Sequence, residues 1–229
     1  MSAGLFNRVS DALLGLIYPR RATCMGCGSR TGFPRDWLCE DCRQALSSRW
    51  VGAGRPPEGG LFKGAAYAYH YGGPAGGLVR NLKYQGVTRL AAGMGRSMAS
   101  VFALIQPTGA DCVAPVPMHP KRLRERGFNH AALLARAAGD RLELPMADAL
   151  KRVRNTRQQA RLPDDARRAN MAGAFELQMD VKGKRIVLVD DVCTTGATAN
   201  ACAKTLLDGG AEAVYLLCYA VAGEENRGA

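Results

Sequence analysis

The hydrophobic pattern of the chain turns on one unbroken run, Ile186 to Val189, four apolar residues with no polar position between them. Such a run fills a strand buried on both faces of a parallel sheet, whereas a half-exposed strand alternates. Gly196 to Leu207 then has helical character, and Ala213 to Tyr219 is a second apolar run, so this region predicts a strand, a helix and another parallel strand. Upstream, Lys63 to Tyr71 alternates small and aromatic residues and predicts an early strand. Gly76 to Tyr84 and Arg89 to Leu104 predict helices, the second with methionines that read as core filling. Asp111 to Pro117 predicts a short strand stopped by prolines, which lack a ladder donor, and neighbouring the 186–189 strand. Asn129 suits the cap of a helix beginning near His130, and Met146 to Leu150 predicts one more strand. Leu5 to Tyr18 has helical apolar spacing and is expected to pack against the protein rather than lie on a membrane.

Where the pattern fails, it marks boundaries. Gly52 to Gly60 (GAGRPPEGG) offers almost nothing to bury and reads as a linker. Lys151 to Phe175 is polar, very basic and weakly patterned; it reads either as an exposed connection or as an active-site lid. The expected organisation is a helix and a cysteine-bearing module over residues 1–50, a linker over 51–60, and an α/β domain with a mostly parallel sheet over 61–229.

Composition narrows the class. A hydrophobic content of 47% over 229 residues is globular and excludes a disordered chain. No apolar run approaches the length of a membrane span and no signal peptide opens the sequence, so a cytoplasmic location without a transmembrane segment is expected. The net charge of +11 draws anions, whether small phosphates, nucleotides or a nucleic-acid backbone, and does not choose among them.

Four of the eight cysteines stand together in CMGCGSRTGFPRDWLCEDC: Cys24, Cys27, Cys39 and Cys42, two CxxC knuckles. Four thiolates converging on one ion favour structural zinc in a tetrahedral site with no open position, with redox or iron–sulfur use as the alternatives. Arg20, Arg21, Arg30 and Arg35 around the knuckles suit either nucleic acid or solvent, and Trp37 is a single aromatic rather than a stacking ladder.

The chemistry concentrates just after the 186–189 run. Asp190 and Asp191 stand where that strand is expected to end, followed by the small-residue loop Val192, Cys193, Thr194, Thr195, Gly196, Ala197 and Thr198. Unpaired N–H groups at a helix start, with threonine hydroxyls, suit a phosphate. Ionised carboxylates only accept hydrogen bonds, so they call for a vicinal diol or a divalent cation on the same ligand. A ribose 5-phosphate satisfies both halves. No Lys follows Gly196, which excludes a Walker A loop, and the glycine spacing of a dinucleotide fingerprint is missing. Cys193 inside the loop reads as a small filler, with a reactive thiol as the alternative.

This stretch resembles the phosphoribosyl pyrophosphate (PRPP) motif of type I phosphoribosyltransferases. The resemblance implies that family's fold, ribose hydroxyls on Asp190 and Asp191, the 5-phosphate on Val192 to Thr198, and magnesium bound with PRPP. It also implies a pyrophosphate loop after an earlier strand, assigned by position and charge to Met118 to Arg122 with His119, Lys121 and Arg122. A hood would bring Arg152, Arg154 or Arg157 to the leaving pyrophosphate, and Arg154 is taken as the catalytic arginine. Arg80 and Lys83 lie either near the ligand's phosphates or on an exposed basic helix face.

The chain as a whole resembles the ComF family, a zinc ribbon joined to a phosphoribosyltransferase-like domain and associated with DNA uptake in natural transformation. Besides the cysteines, the resemblance rests on Leu82 to Gly86 (LKYQG), Val116 to Asn129 (VPMHPKRLRERGFN), and Leu150, Arg152, Thr156, Gln159 and Leu162. Asn170, Ala174, Phe175 and Val187 to Thr198 (VLVDDVCTTGAT) complete it. His130 replaces the glutamine usual after RGFN and receives no catalytic role. Three functions follow: a phosphoribosyltransferase of unknown acceptor, a PRPP or nucleotide sensor serving DNA uptake through competence proteins, or an adaptor for single-stranded DNA. Homo-oligomerisation is left open.

Overall fold

The computed structural model describes residues 22–31, 37–105, 109–154 and 173–223. The expected helix over Leu5 to Tyr18, together with Arg20, Arg21, Arg35, Thr156, Arg157, Gln159, Leu162 and Asn170, lies outside the described residues.

In chain order, β1 (Ala22–Thr23) pairs antiparallel with β2 (Arg30–Thr31), and α1 (Glu40–Ser47) closes the cysteine module. Glu40 and Asp41 occupy the first turn of α1, where carboxylates favour the positive end of the helix dipole. β3 (Trp50–Gly54) runs antiparallel to β4 (Gly64–His70), with Trp50 opposite Tyr69 and Gly54 opposite Ala65. Gly52 to Gly54, expected in the linker, are therefore an edge strand. Gly54 reads poorly as strand because Tyr67 leaves no room for a side chain: its ring lies 2.5 Å from where a Cβ would stand. Residues 55–63 carry neither helix nor strand.

Two helices follow, α2 (Gly73–Tyr84) and α3 (Leu90–Phe102), then β5 (Cys112–Pro115), the short α4 (Pro120–Arg126) and α5 (His130–Leu142). Asn129 caps α5 as expected, its side chain accepting the Ala131 N–H at 3.1 Å. β6 (Leu150–Arg152) pairs antiparallel with β7 (Phe175–Leu177), apart from the main sheet. Met146, expected to begin that strand, makes only an isolated parallel bridge with Val113. β8 (Arg185–Cys193), α6 (Ala197–Asp208) and β9 (Ala213–Val221) complete the described chain.

The main sheet has the order β3-β4-β9-β8-β5, and every neighbouring pair but β3 and β4 is parallel. β5 lies beside β8, as the sequence predicts. The sheet is covered on both faces: Val187 and Val189 belong to one core with α2, α3 and α5, and Ile186 and Leu188 belong to the other with α6. That two-sided burial explains the absence of alternation. β8 runs longer than its apolar run, through the acid pair to Cys193, because β9 keeps pairing with it as far as Val221.

The cysteine module is built into the first core, where Cys24, Leu38 and Cys42 join Ala75, Leu78 and Leu82 of α2. The approach is very close at Gly77, where a Cβ would stand 2.0 Å from the Gly26 carbonyl oxygen. Asn81 of the same helix donates to the Met25 carbonyl at 2.9 Å.

Candidate functional site

At the cysteine module, one sulfur from each of Cys24, Cys27, Cys39 and Cys42 lies within 4.8 Å of the others, and the Cys27 and Cys39 sulfurs are 3.9 Å apart. A tetrahedral zinc with Zn–S bonds of about 2.3 Å sets its sulfurs about 3.8 Å apart, so the four fit that ion. The N–H groups of Gly26 and Cys39 point at the Cys24 sulfur, each at 3.3 Å. Burial pushes the Cys24 thiol up, but backbone donors led by Cys39 outweigh it and the net shift is downward. Hydrogen bonding from Ser29 draws the Cys27 thiol down to about 6. Both shifts favour thiolate, the form a metal takes, whereas burial and the neighbouring cysteines push the Cys42 thiol up and Cys39 also lies above its ordinary value, so the four do not all ionise together until a cation joins them. The cluster supports a structural zinc site.

The acid pair sits at the carboxyl end of β8, where open parallel sheets bind ligands. Its two members differ. Asp191 is 2% exposed: its Oδ1 accepts the Val192 N–H at 2.8 Å, and its Oδ2 lies 2.5 Å from Lys83 Nζ and 3.6 Å from His130 Nε2. Burial alone would raise the Asp191 carboxyl, but His130 and Lys83 outweigh it and hold the group well below the usual carboxylate range. Asp190 is half-buried and accepts the Asp191 N–H at 2.9 Å. Loss of water and the neighbouring Asp191 charge push its carboxyl well above the usual value. Burial works against the charge on Lys83, yet Asp191 and Asp190 more than offset it, so the ammonium is held. The site therefore brings its own cation.

Lys83 and His130 are the residues that sequence reasoning missed. Of the pair expected either near the ligand's phosphates or on an exposed basic helix face, Arg80 takes the exposed side, whereas Lys83, one turn on, is half-buried against Asp191. His130 was set aside for departing from the family pattern; it stands at the first position of α5, facing Asp191, with its Nδ1 2.9 Å from Arg126 Nη1. The sequence signal available was the Asn129 cap, which fixes where α5 begins and hence where residue 130 points.

Beyond the acids, Val192 and Cys193 still belong to β8, and the turn proper is Thr194 to Gly196. Cys193 is buried at 6% exposure, which suits the filler reading. Thr194 and Thr195 are exposed, and Ala197 and Thr198 begin α6. Gly196 has φ of +74°, and a Cβ there would stand 2.3 Å from the Pro57 Cβ. The 55–63 segment thus arches over the turn, held by Asn200 donating to the Glu58 carbonyl at 2.8 Å.

The basic stretch after β5 is half helix, which corrects the loop expectation: Met118 and His119 precede α4, whereas Lys121 and Arg122 lie in its first turn. Pro120 is preset for a first helical position, and His119 supplies the cap, its Nδ1 accepting the Lys121 N–H at 3.2 Å. Lys121 is exposed and Arg122 half-buried. Of the two described arginines expected in a hood, Arg154 is exposed and Arg152 is half-buried, stacked 5.5 Å over the Phe175 ring and within the electrostatic reach of Arg122 and Asp190.

Known proteins bear on this arrangement. The family described as phosphoribosyl transferase domain matches residues 126–227. The DNA utilization protein YhgH of Escherichia coli (strain K12) is 32% identical over 191 residues, covering 79% of this chain and 82% of that protein. Competence protein F of Haemophilus influenzae is 36% identical over 110 residues, 46% of this chain and 48% of that one. Competence protein ComFC of Bacillus subtilis is 26% identical over 204 residues, 86% and 82% of the respective chains. Among the described residues, no helix is long and apolar enough to cross a membrane. Similarity of that extent, around a phosphoribosyl transferase domain and a four-cysteine cluster, means that the chain belongs to the ComF family of competence proteins.

Proposed function

We propose that this protein binds PRPP or ribose 5-phosphate with magnesium at the carboxyl end of β8, and serves DNA uptake as a nucleotide-sensing accessory protein. The observation that carries the reading is the succession at that strand end: Asp190 and Asp191 within β8, then the Thr194 to Gly196 turn opening α6. Asp190, the more open acid, accepts from a ribose hydroxyl, and Asp191 is the fixed charge beside it. N–H groups and hydroxyls of residues 194–198 take the 5-phosphate. His119, Lys121, Arg122 and Arg154 serve the pyrophosphate end. The carboxylates of Asp190 and Asp191, whose oxygens lie within 4.8 Å of each other, are the oxygen donors that a hard cation takes, while His130 beside them contributes a nitrogen and is not counted among its ligands. Magnesium, when bound with the ligand, would neutralise diphosphate charge. The role in DNA uptake draws on relatives named for DNA utilization and for competence.

A second reading is transfer of the phosphoribosyl group to an acceptor, favoured by the family match over residues 126–227. In it, the acids orient the sugar while the basic groups stabilise departing pyrophosphate. Calorimetric titration with PRPP and magnesium tests the binding that both readings require. The double substitution Asp190→Asn with Asp191→Asn removes charge-assisted contacts of roughly 1.5 to 3 kcal/mol each, so affinity falls at least about tenfold. No binding by the unsubstituted protein would overturn both readings. Pyrophosphate release with bases, amines or nucleotides as acceptors would select the second.

A further inference from the structure

His130 is held from both sides. Gly127 ends α4 in the left-handed region at φ +83°, and Asn129 pins the start of α5 on the end of β5 by donating to the Val116 carbonyl at 3.1 Å. Between those fixed points the last side chain of α4, Arg126, meets the first of α5, with Arg126 Nη1 2.9 Å from His130 Nδ1. A guanidinium can only donate, so Nδ1 accepts and the single proton of a neutral ring stands on Nε2. Nε2 faces Asp191 Oδ2 at 3.6 Å, and an ionised carboxylate can only accept. That oxygen is buried and, beyond the Lys83 ammonium at 2.5 Å, has no hydrogen-bond partner among the described residues. The other forms of the ring fit worse. A proton on Nδ1 would oppose Arg126 and turn a lone pair on the carboxylate; an imidazolium would suit Asp191 but set two cationic donors against each other.

The contacts close into a ring. The Arg126 guanidinium lies 5.3 Å from the centroid of Tyr84, and Tyr84 follows Lys83 on α2, which returns to Asp191. One side of this ring is α4, whose first turn carries Lys121 and Arg122; the other is the acid pair. We propose that His130 is a positioning residue of the phosphoribosyl site: in its Nε2–H form it accepts from Arg126, donates to Asp191, and so sets the distance between the basic helix α4 and the ribose-binding acids. The inference rests on the phosphoribosyl reading and adds to it a link between the pyrophosphate and ribose ends. The 3.6 Å gap is longer than a hydrogen bond, and contacts of this kind commonly tighten when a ligand arrives. A ligand with both a ribose and a pyrophosphate draws on both ends of the link. Ribose 5-phosphate draws on one.

Glutamine presents a carbonyl acceptor and an amide donor across one planar group, as the Nε2–H imidazole does, whereas leucine fills space and offers neither. The test is calorimetric titration of the full-length, metal-loaded protein with PRPP and with ribose 5-phosphate, magnesium present. His130→Leu is expected to weaken PRPP at least about tenfold and ribose 5-phosphate less than about threefold. His130→Gln should recover the PRPP affinity to within about threefold of the unsubstituted protein. Equal losses on the two ligands, or no recovery by glutamine, would reduce His130 to a packing role and overturn the proposal. A second readout needs no ligand: nitrogen-15 spectra of the imidazoles at neutral pH, with His130 picked out from the three histidines by its disappearance in His130→Gln. The proton is expected on Nε2 with Nδ1 bare, and a proton on Nδ1, or on both, would overturn the proposal. A titration in which the unsubstituted protein binds neither ligand fails the phosphoribosyl reading and this role with it, whereas binding with a misplaced proton fails this role alone.

Discussion

The cysteine module and the acid pair solve opposite electrostatic problems. The module gathers four thiols between Cys24 and Cys42, nearby in sequence, and leaves them dependent on a cation from outside. The acid pair is assembled from α2, α5 and β8, far apart in sequence, and arrives with Lys83 already against Asp191. A site with an internal counter-charge stays folded without ligand, whereas four converging thiolates repel one another until a metal binds. The first site is a condition of the fold, and the second is a feature the fold presents.

Removing metal is the largest test of that contrast. Structural zinc is worth on the order of 10 kcal/mol in zinc-finger peptides. A chelator, or Cys24→Ser, is expected to unfold residues 22–47. Since Gly26 and Met25 rest on α2, the main melting transition should fall as well. Hydrogen exchange checks this, and α2 amides that stay protected after the module unfolds would show the two to be independent. Next in size is Lys83→Met, which strands a buried carboxylate at a cost of about 3 kcal/mol in denaturant unfolding. Adding Asp191→Asn should recover most of that loss. Gly77→Ala forces a methyl against the Gly26 carbonyl and should cost about 2 kcal/mol, with the acid pair untouched.

The finest test separates the two acids by pH. Asp191 has a lowered folded value, so its contribution to stability is present above the unfolded carboxyl value of about 4 and is lost as pH falls through the folded one. Asp190 has a raised folded value, so the folded state holds its proton more tightly and stability declines as pH rises from about 4 through that value. Asp191→Asn should therefore destabilise the unliganded protein at neutral pH, and Asp190→Asn should stabilise it, both effects shrinking in acid. Melting curves across pH check this; the same sign for both variants would mean that the pair behaves as one group.

Legibility in the sequence follows the same division. The CxxC knuckles, the IVLV run with its acids, and the placing of the 111–117 strand beside it were readable because each depends on local spacing or on parallel-sheet rules. Lys83 was not, because a lysine on a helix reveals its partner only when the helix is docked. The β3 strand was missed because Gly54 answers to the Tyr67 ring and Gly52 to Leu104, both tertiary causes. Asp190 and Asp191 were read as equals, being adjacent and identical; only docking of α2 and α5 makes them unlike.

The position of β9 sets a timetable for synthesis. It is later in the chain than any other described strand, yet it lies in the middle of the sheet, between β4 and β8. While the chain is leaving the ribosome, the thiols of Cys24 to Cys42 emerge early and can bind metal at once. β4 and β8 cannot be bridged until residue 221 is out. Of the two sites the metal site is thus the first able to form, and the acid pair gains its full β9 neighbour only with the last described strand, so every ribosome-bound nascent chain passes through a stage that can hold zinc but has not completed its main sheet.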